Sequence, residues 1–71
     1  MIYISSGALQ KEIITLLEES NTEIVYRYVE KRGIILSFSV NTDDLDKAIS
    51  LASKIIKNSS IGKMLYFQIT K

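Results

Sequence analysis

The sequence predicts an α+β domain whose elements run β-α-β-β-α-β, and three observations carry that prediction. Four short runs alternate bulky apolar residues with small or polar ones, the period of a half-buried strand. Two longer runs repeat apolar residues every three or four positions, the period of an amphipathic helix. Clusters of small polar residues and glycine separate the runs.

Taken in order, Ile2–Ser5 is a β-rich run that gives way at Ser5-Ser6-Gly7. From Ala8, the positions Leu9, Ile13, Leu16 and Leu17 form one stripe of a helix ending near Ser20-Asn21. Asn21-Thr22-Glu23 connects it to a second strand over 24–29, rich in β-branched and aromatic residues. After Lys31-Arg32-Gly33 a third strand covers 34–40, with Ile34, Leu36, Phe38 and Val40 on one side and Ile35, Ser37 and Ser39 on the other. Asn41-Thr42-Asp43-Asp44 supplies cap side chains and first-turn acids. The helix that follows carries Leu45, Ala48, Ile49, Ala52, Ile55 and Ile56 on its apolar face. Asn58-Ser59-Ser60-Ile61-Gly62 breaks it, and a last strand over 64–70 turns Leu65, Phe67 and Ile69 one way and Met64, Tyr66 and Gln68 the other. With right-handed crossovers this is the ferredoxin-like split βαβ arrangement: an antiparallel sheet of order 4-1-3-2 with both helices on one face.

The turn between the middle strands sets which side chains go inward. A three-residue loop Lys31-Arg32-Gly33, with Gly33 left-handed at a G1 bulge, pairs Glu30 with Ile34. It then sets Tyr28 opposite Leu36, Tyr26 opposite Phe38 and Ile24 opposite Val40, all inward, leaving Val25, Arg27 and Val29 outward. A two-residue loop would drive Arg27 into the core, which is costly without a partner.

Size and composition bound the function. The 71 residues make one domain, 1–71, small enough to gain from a partner subunit. The chain has neither Cys nor His, which removes disulfides, the usual zinc and copper ligands, the commonest general base and every Cys/His or Ser/His nucleophile. The expectation is a non-enzyme without cofactor or metal. No run approaches the roughly 18 apolar residues of a membrane span. MIYISSGAL also lacks the basic start of a secretory signal. A soluble cytoplasmic protein is expected. Ser5-Ser6-Gly7 lacks the spacing of a phosphate-binding loop. Asp43-Asp44-Leu45-Asp46 has magnesium-type ligands but sits where helix capping uses them.

The sheet face opposite the helices is expected to show Tyr3, Ser5, Val25, Arg27, Val29, Ile35, Ser37, Ser39, Met64, Tyr66 and Gln68. That mixture is too apolar for an ordinary wet surface and suits a protein partner or a second copy, with Tyr3, Arg27, Val29, Ile35, Met64 and Tyr66 as contacts. Charges segregate by end: Lys31, Arg32, Lys54, Lys57 and Lys63 gather at one, and Glu18, Glu19, Glu23, Asp43, Asp44 and Asp46 at the other. The basic end, with Tyr3, supports an alternative reading as a small RNA-binding domain or anion site. RNA-recognition-motif sheets stack bases on outward aromatics, but here the matching positions in Arg32-Gly33-Ile34-Ile35-Leu36-Ser37-Phe38 are the inward Ile34 and Leu36.

Residues 33–56, an aliphatic strand running into Asp44-Leu45 and a helix, resemble the small dimerising subunit family of the KEOPS tRNA-threonylcarbamoyladenosine complex. The resemblance implies an accessory, dimerising subunit of a tRNA-modifying assembly, with Asp44 and Leu45 in a structural role. The family's helix carries Arg and Asn where this chain has Ile49 and Ser53, and it tends to finish in helix rather than strand.

Overall fold

The computed structural model describes residues 1–63 and 65–71, Lys63 by its backbone alone. Met64 and the Lys63 side chain, both expected at surface sites, lie outside the described residues. The elements are β1 (Ile2–Ser5), α1 (Gln10–Glu18), β2 (Tyr26–Arg32), β3 (Ile35–Val40), α2 (Leu45–Lys57), a 3-10 turn (Ile61–Lys63) and β4 (Gln68–Thr70). The four strands form one open antiparallel sheet of order β2-β3-β1-β4, or β4-β1-β3-β2 from the other edge. The fold is therefore α+β, one sheet with two helices.

Strand alternation selects the core. Ile2, Ile4, Tyr26, Leu36 and Phe38 are buried together with Ile13 and Leu17 of α1 and Ala48, Ala52 and Ile56 of α2. The small residues Ala48 and Ala52 bring α2 close to the sheet. There the Tyr26 hydroxyl, on a side chain only 1% exposed, donates a 2.7 Å hydrogen bond to the Ala48 carbonyl oxygen. Burial pushes this phenol up from 10.0 to about 12, with backbone hydrogen bonding at Ala52 acting in the opposite sense. Because the unfolded chain ionises first, Tyr26 supports the fold fully below pH 10. That support is lost as pH rises from 10 to 12. Tyr26→Phe is expected to cost about 1 kcal/mol at neutral pH and to flatten the fall in stability above pH 10, as read from urea unfolding at several pH values.

The β2–β3 hairpin departs from the expected register. Arg32 pairs with Ile35, Lys31 with Leu36 and Glu30 with Ser37, so the loop is Gly33-Ile34 and not Lys31-Arg32-Gly33. Gly33 has φ +59° and Ile34 does not enter the positive region, the pattern of a type II′ turn. Glycine is thus required, but as the first residue of a two-residue turn. Beyond Glu30 a bulge at Val29 absorbs one residue, after which Tyr28 pairs with Phe38, Arg27 with Ser39 and Tyr26 with Val40. The bulge restores the phase, so a two-residue loop does not force Arg27 inward. Tyr26 and Ile24 are buried, Tyr28 is half-buried with its ring edge-on to Phe38 at 5.9 Å, and Val25, Arg27 and Val29 remain exposed. Ile34, expected inward, is exposed at the turn.

Two further differences have local causes. Helix α1 starts at Gln10 because Ser6 and Leu9 shape a turn before it: the Ser6 Oγ donates to the Ala8 carbonyl at 2.7 Å, and Leu9 is left-handed at φ 55°. Strand β4 is confined to Gln68–Thr70 because β1 ends at Ser5, the partner of Gln68. Ser6 stays tied to the neighbouring hairpin, donating its N–H to the Ile34 carbonyl at 2.9 Å, while the pairing with β4 stops at Ser5. Leu65, Tyr66 and Phe67 have no strand to join, although Leu65, Phe67 and Ile69 still pack on the core as expected.

Candidate protein-docking surface

The sheet face away from the helices is built by the pairs Tyr3–Ser37, Ser5–Ile35, Tyr3–Thr70, Ser5–Gln68 and Arg27–Ser39. The Val29 bulge adds Glu30 and Arg32, opposite Ser37 and Ile35. Arg32 Nε lies 3.5 Å from Glu30 Oε1, an exposed pair worth little by itself. Tyr3, Ser5, Glu30, Arg32, Ile35, Ser37 and Thr70 line a shallow depression of about 400 Å³. Ser37, which forms part of its floor, is 7% exposed although it faces away from the helices. The depression is flanked by Tyr3 and Ile35, 38% and 41% exposed.

Of the expected contact residues, the structure places Tyr3, Arg27 and Ile35 on this face, with Val29 exposed at the bulge beside it. Tyr66 is elsewhere. It precedes β4 and stands 85% exposed at the end of the sheet, near Ser5, Ser6, Gly7, Ile34 and Gln68. Glu30 was missed as a site residue. The available signal was the glycine itself: Gly33 at the head of a two-residue turn, with both tyrosines inward, requires one extra residue in β2.

Lys31 is opposite Leu36 near the hairpin tip, and Arg32 belongs to the open face. Lys54 shares a cleft with Glu23, Lys47, Ser50 and Leu51, and Lys57 lines a separate groove beside α2. The acids have local tasks. Asp44 accepts the Lys47 N–H at 3.1 Å as the N-cap of α2, and Asp46 pairs with Lys71 Nζ at 2.8 Å, so the two carboxylates serve different partners. Glu23 pairs with Lys47 Nζ at 2.9 Å. These hydrogen-bonded carboxylates hold the ammonium groups of Lys47 and Lys71 above the usual lysine range. Glu18, at the end of α1 that disfavours negative charge, accepts the N–H of Tyr28 at 3.1 Å and so covers part of the outer edge of β2. Asn41, which follows β3, instead ties Val25 across the hairpin, its Oδ1 accepting the Val25 N–H at 2.9 Å.

Among the described residues no three metal-binding side chains gather, and no helix is long and apolar enough to cross a membrane. No protein family, curated protein or solved structure matches the chain.

Proposed function

We propose that this chain is a ferredoxin-like, non-catalytic protein-interaction module whose open sheet face docks a second copy of itself. The observation that carries this reading is the composition of one small face: apolar Tyr3 and Ile35 at a depression floored by Ser37, with Glu30 and Arg32 beside them. A two-fold interface brings a patch against its own copy, so it needs both charge signs and an apolar centre within the same patch. Arg27, on the same face, adds a second cation. The molecule measures 29 × 25 × 18 Å. A sheet face of that breadth offers an area near the ~800 Å² per partner of a standard stable interface. Covering it also adds apolar burial to a domain of a size that leaves much of its surface wet.

As an accessory subunit of a larger assembly the dimer would be the unit recruited. Its placement in a tRNA-modifying assembly rests on the resemblance over residues 33–56 alone. The alternative is RNA binding through the basic residues Lys31, Arg32, Lys54 and Lys57.

Light scattering on a sizing column tests the proposal. Tyr3→Glu and Ile35→Glu place carboxylates at the centre of the patch and are expected to leave a folded monomer, while Lys31→Glu and Lys54→Glu leave the dimer intact. A wild-type monomer at millimolar concentration would defeat the reading. So would a dimer insensitive to the two face variants. RNA binding that weakens with salt and with Lys31→Glu would support the alternative.

A further inference from the structure

The two edges of the sheet are not equivalent. On β2 the Val29 bulge breaks the edge, and the side chain of Glu18 occupies the N–H of Tyr28. Those are devices that stop a further strand from adding. On the β4 side, among the described residues, no side chain bonds to the backbone of 65–70. Leu65, Tyr66 and Phe67 also make no backbone hydrogen bond there outside regular elements. Beside this stretch runs a groove of about 410 Å³ between residues 65–69 and α2, reached by Ile49, Ser53 and Lys57. Leu65, Phe67, Ile69 and Ile49 are only partly buried against the core and leave apolar surface along it. Lys57 is the one charged side chain lining it among the described residues.

An unpaired backbone beside an apolar groove flanked by a helix is what an added strand requires: main-chain bonds hold it, and alternate side chains enter the groove. We infer that the β4 edge receives an extended segment of a different protein chain as a fifth strand. That segment has aliphatic side chains at alternate positions and a carboxylate at the end facing Lys57. The occupant is a strand because, among the described residues, the backbone groups of 65–67 make no hydrogen bond outside regular elements. It is acidic at one end because Lys57 is the charged side chain the groove offers among the described residues. Gln68 borders both this groove and the open face, but the depression on that face shares no lining residue with the groove among the described residues, so the inference stands or falls independently of self-association there.

Selection of a displayed library of random octapeptides against the full chain provides the probe, and one selected peptide is then synthesised and titrated into isotope-labelled protein. Alternating aliphatic residues with a terminal Asp or Glu are expected. Shift changes are expected at the amides of 65–70 and at Ile49 and Ser53. Ser53→Arg, which fills the groove at a half-exposed helix position, abolishes binding while leaving the circular dichroism spectrum unchanged. Lys57→Glu weakens the acidic peptide severalfold and not its neutral counterpart. The inference is overturned if no alternating sequence is enriched, if selected peptides shift Tyr3 and Ile35 or the β2 amides instead, if Ser53→Arg binds as well as wild type, or if the edge is found paired with β4 of a second copy.

Discussion

Replacing Phe38 by alanine is expected to destabilise the chain by about 3–5 kcal/mol, the range for truncating a buried aromatic. Phe38 is fully buried on the strand next to the sheet centre, opposite Ile2 on one side and Tyr28 on the other, and its ring meets that of Tyr28 edge-on. The neighbouring strands hold their positions through ladder hydrogen bonds, so the space cannot close by collapse and the loss includes a cavity term. Stabilities of single domains run about 5–15 kcal/mol, and a chain of 71 residues lies toward the lower end. Phe38→Ala should therefore show measurable unfolded protein in water, whereas Phe38→Leu, closer in volume, should lose less than half as much. Urea unfolding followed by circular dichroism distinguishes the two. Equal, small losses for both would mean that the ring does not organise this core.

The second large effect is expected from Gly62→Ala. A β-carbon at Gly62 would sit 2.0 Å from the Ile56 carbonyl oxygen and 2.7 Å from the Lys57 Cα. Those are backbone atoms at the end of α2, so no change of rotamer relieves the clash. The 3-10 turn must move away from the helix, at a cost toward the upper end of the about 1–3 kcal/mol typical of overpacking. Gly62 also donates its N–H to the Ser59 carbonyl at 3.2 Å, a contact the displacement weakens. The chain that follows leads into β4, so the variant should speed amide exchange at Gln68–Thr70 more than at β1–β3 contacts. The reason for glycine here is space. At Gly33 a β-carbon would meet nothing within 4 Å beyond its chain neighbours, and the reason is the φ of +59°.

These two glycines show what was readable in the chain and what was not. Gly33 announced a tight turn because a positive φ leaves a signature in residue type next to alternating strands. Gly62 read only as a helix breaker, because a close backbone approach depends on where the helix and the turn meet in space. The inward set Ile2, Ile4, Tyr26, Leu36 and Phe38 followed from alternation, since a period of two survives errors of pairing that are even in number. The pairing itself did not follow. A loop of two residues and a bulge of one at Val29 change the register near the tip and then return the faces to phase, so the tyrosines point inward in either register while their cross-strand neighbours differ. Glu30 and Arg32 reached the open face by the same route. Glu18 was anomalous by helix-dipole reasoning because its task, accepting the Tyr28 N–H, is set by the packing of α1 beside β2. The shortness of β4 arises because its pairing with β1 stops at Ser5, a tertiary event with no mark in the sequence that precedes Gln68.

The proposal of a self-docking face turns on which atoms of one copy lie against another. Mixing isotope-labelled with unlabelled chains and recording only cross-peaks between the two populations tests it directly. The predicted result is a set of intermolecular contacts joining the Ile35 methyl groups and the Tyr3 ring of one chain to open-face protons of its partner, with none from Ala48, Ala52 or other helix-layer residues. No intermolecular peaks at millimolar concentration, or peaks confined to the helices or the β4 edge, would contradict it.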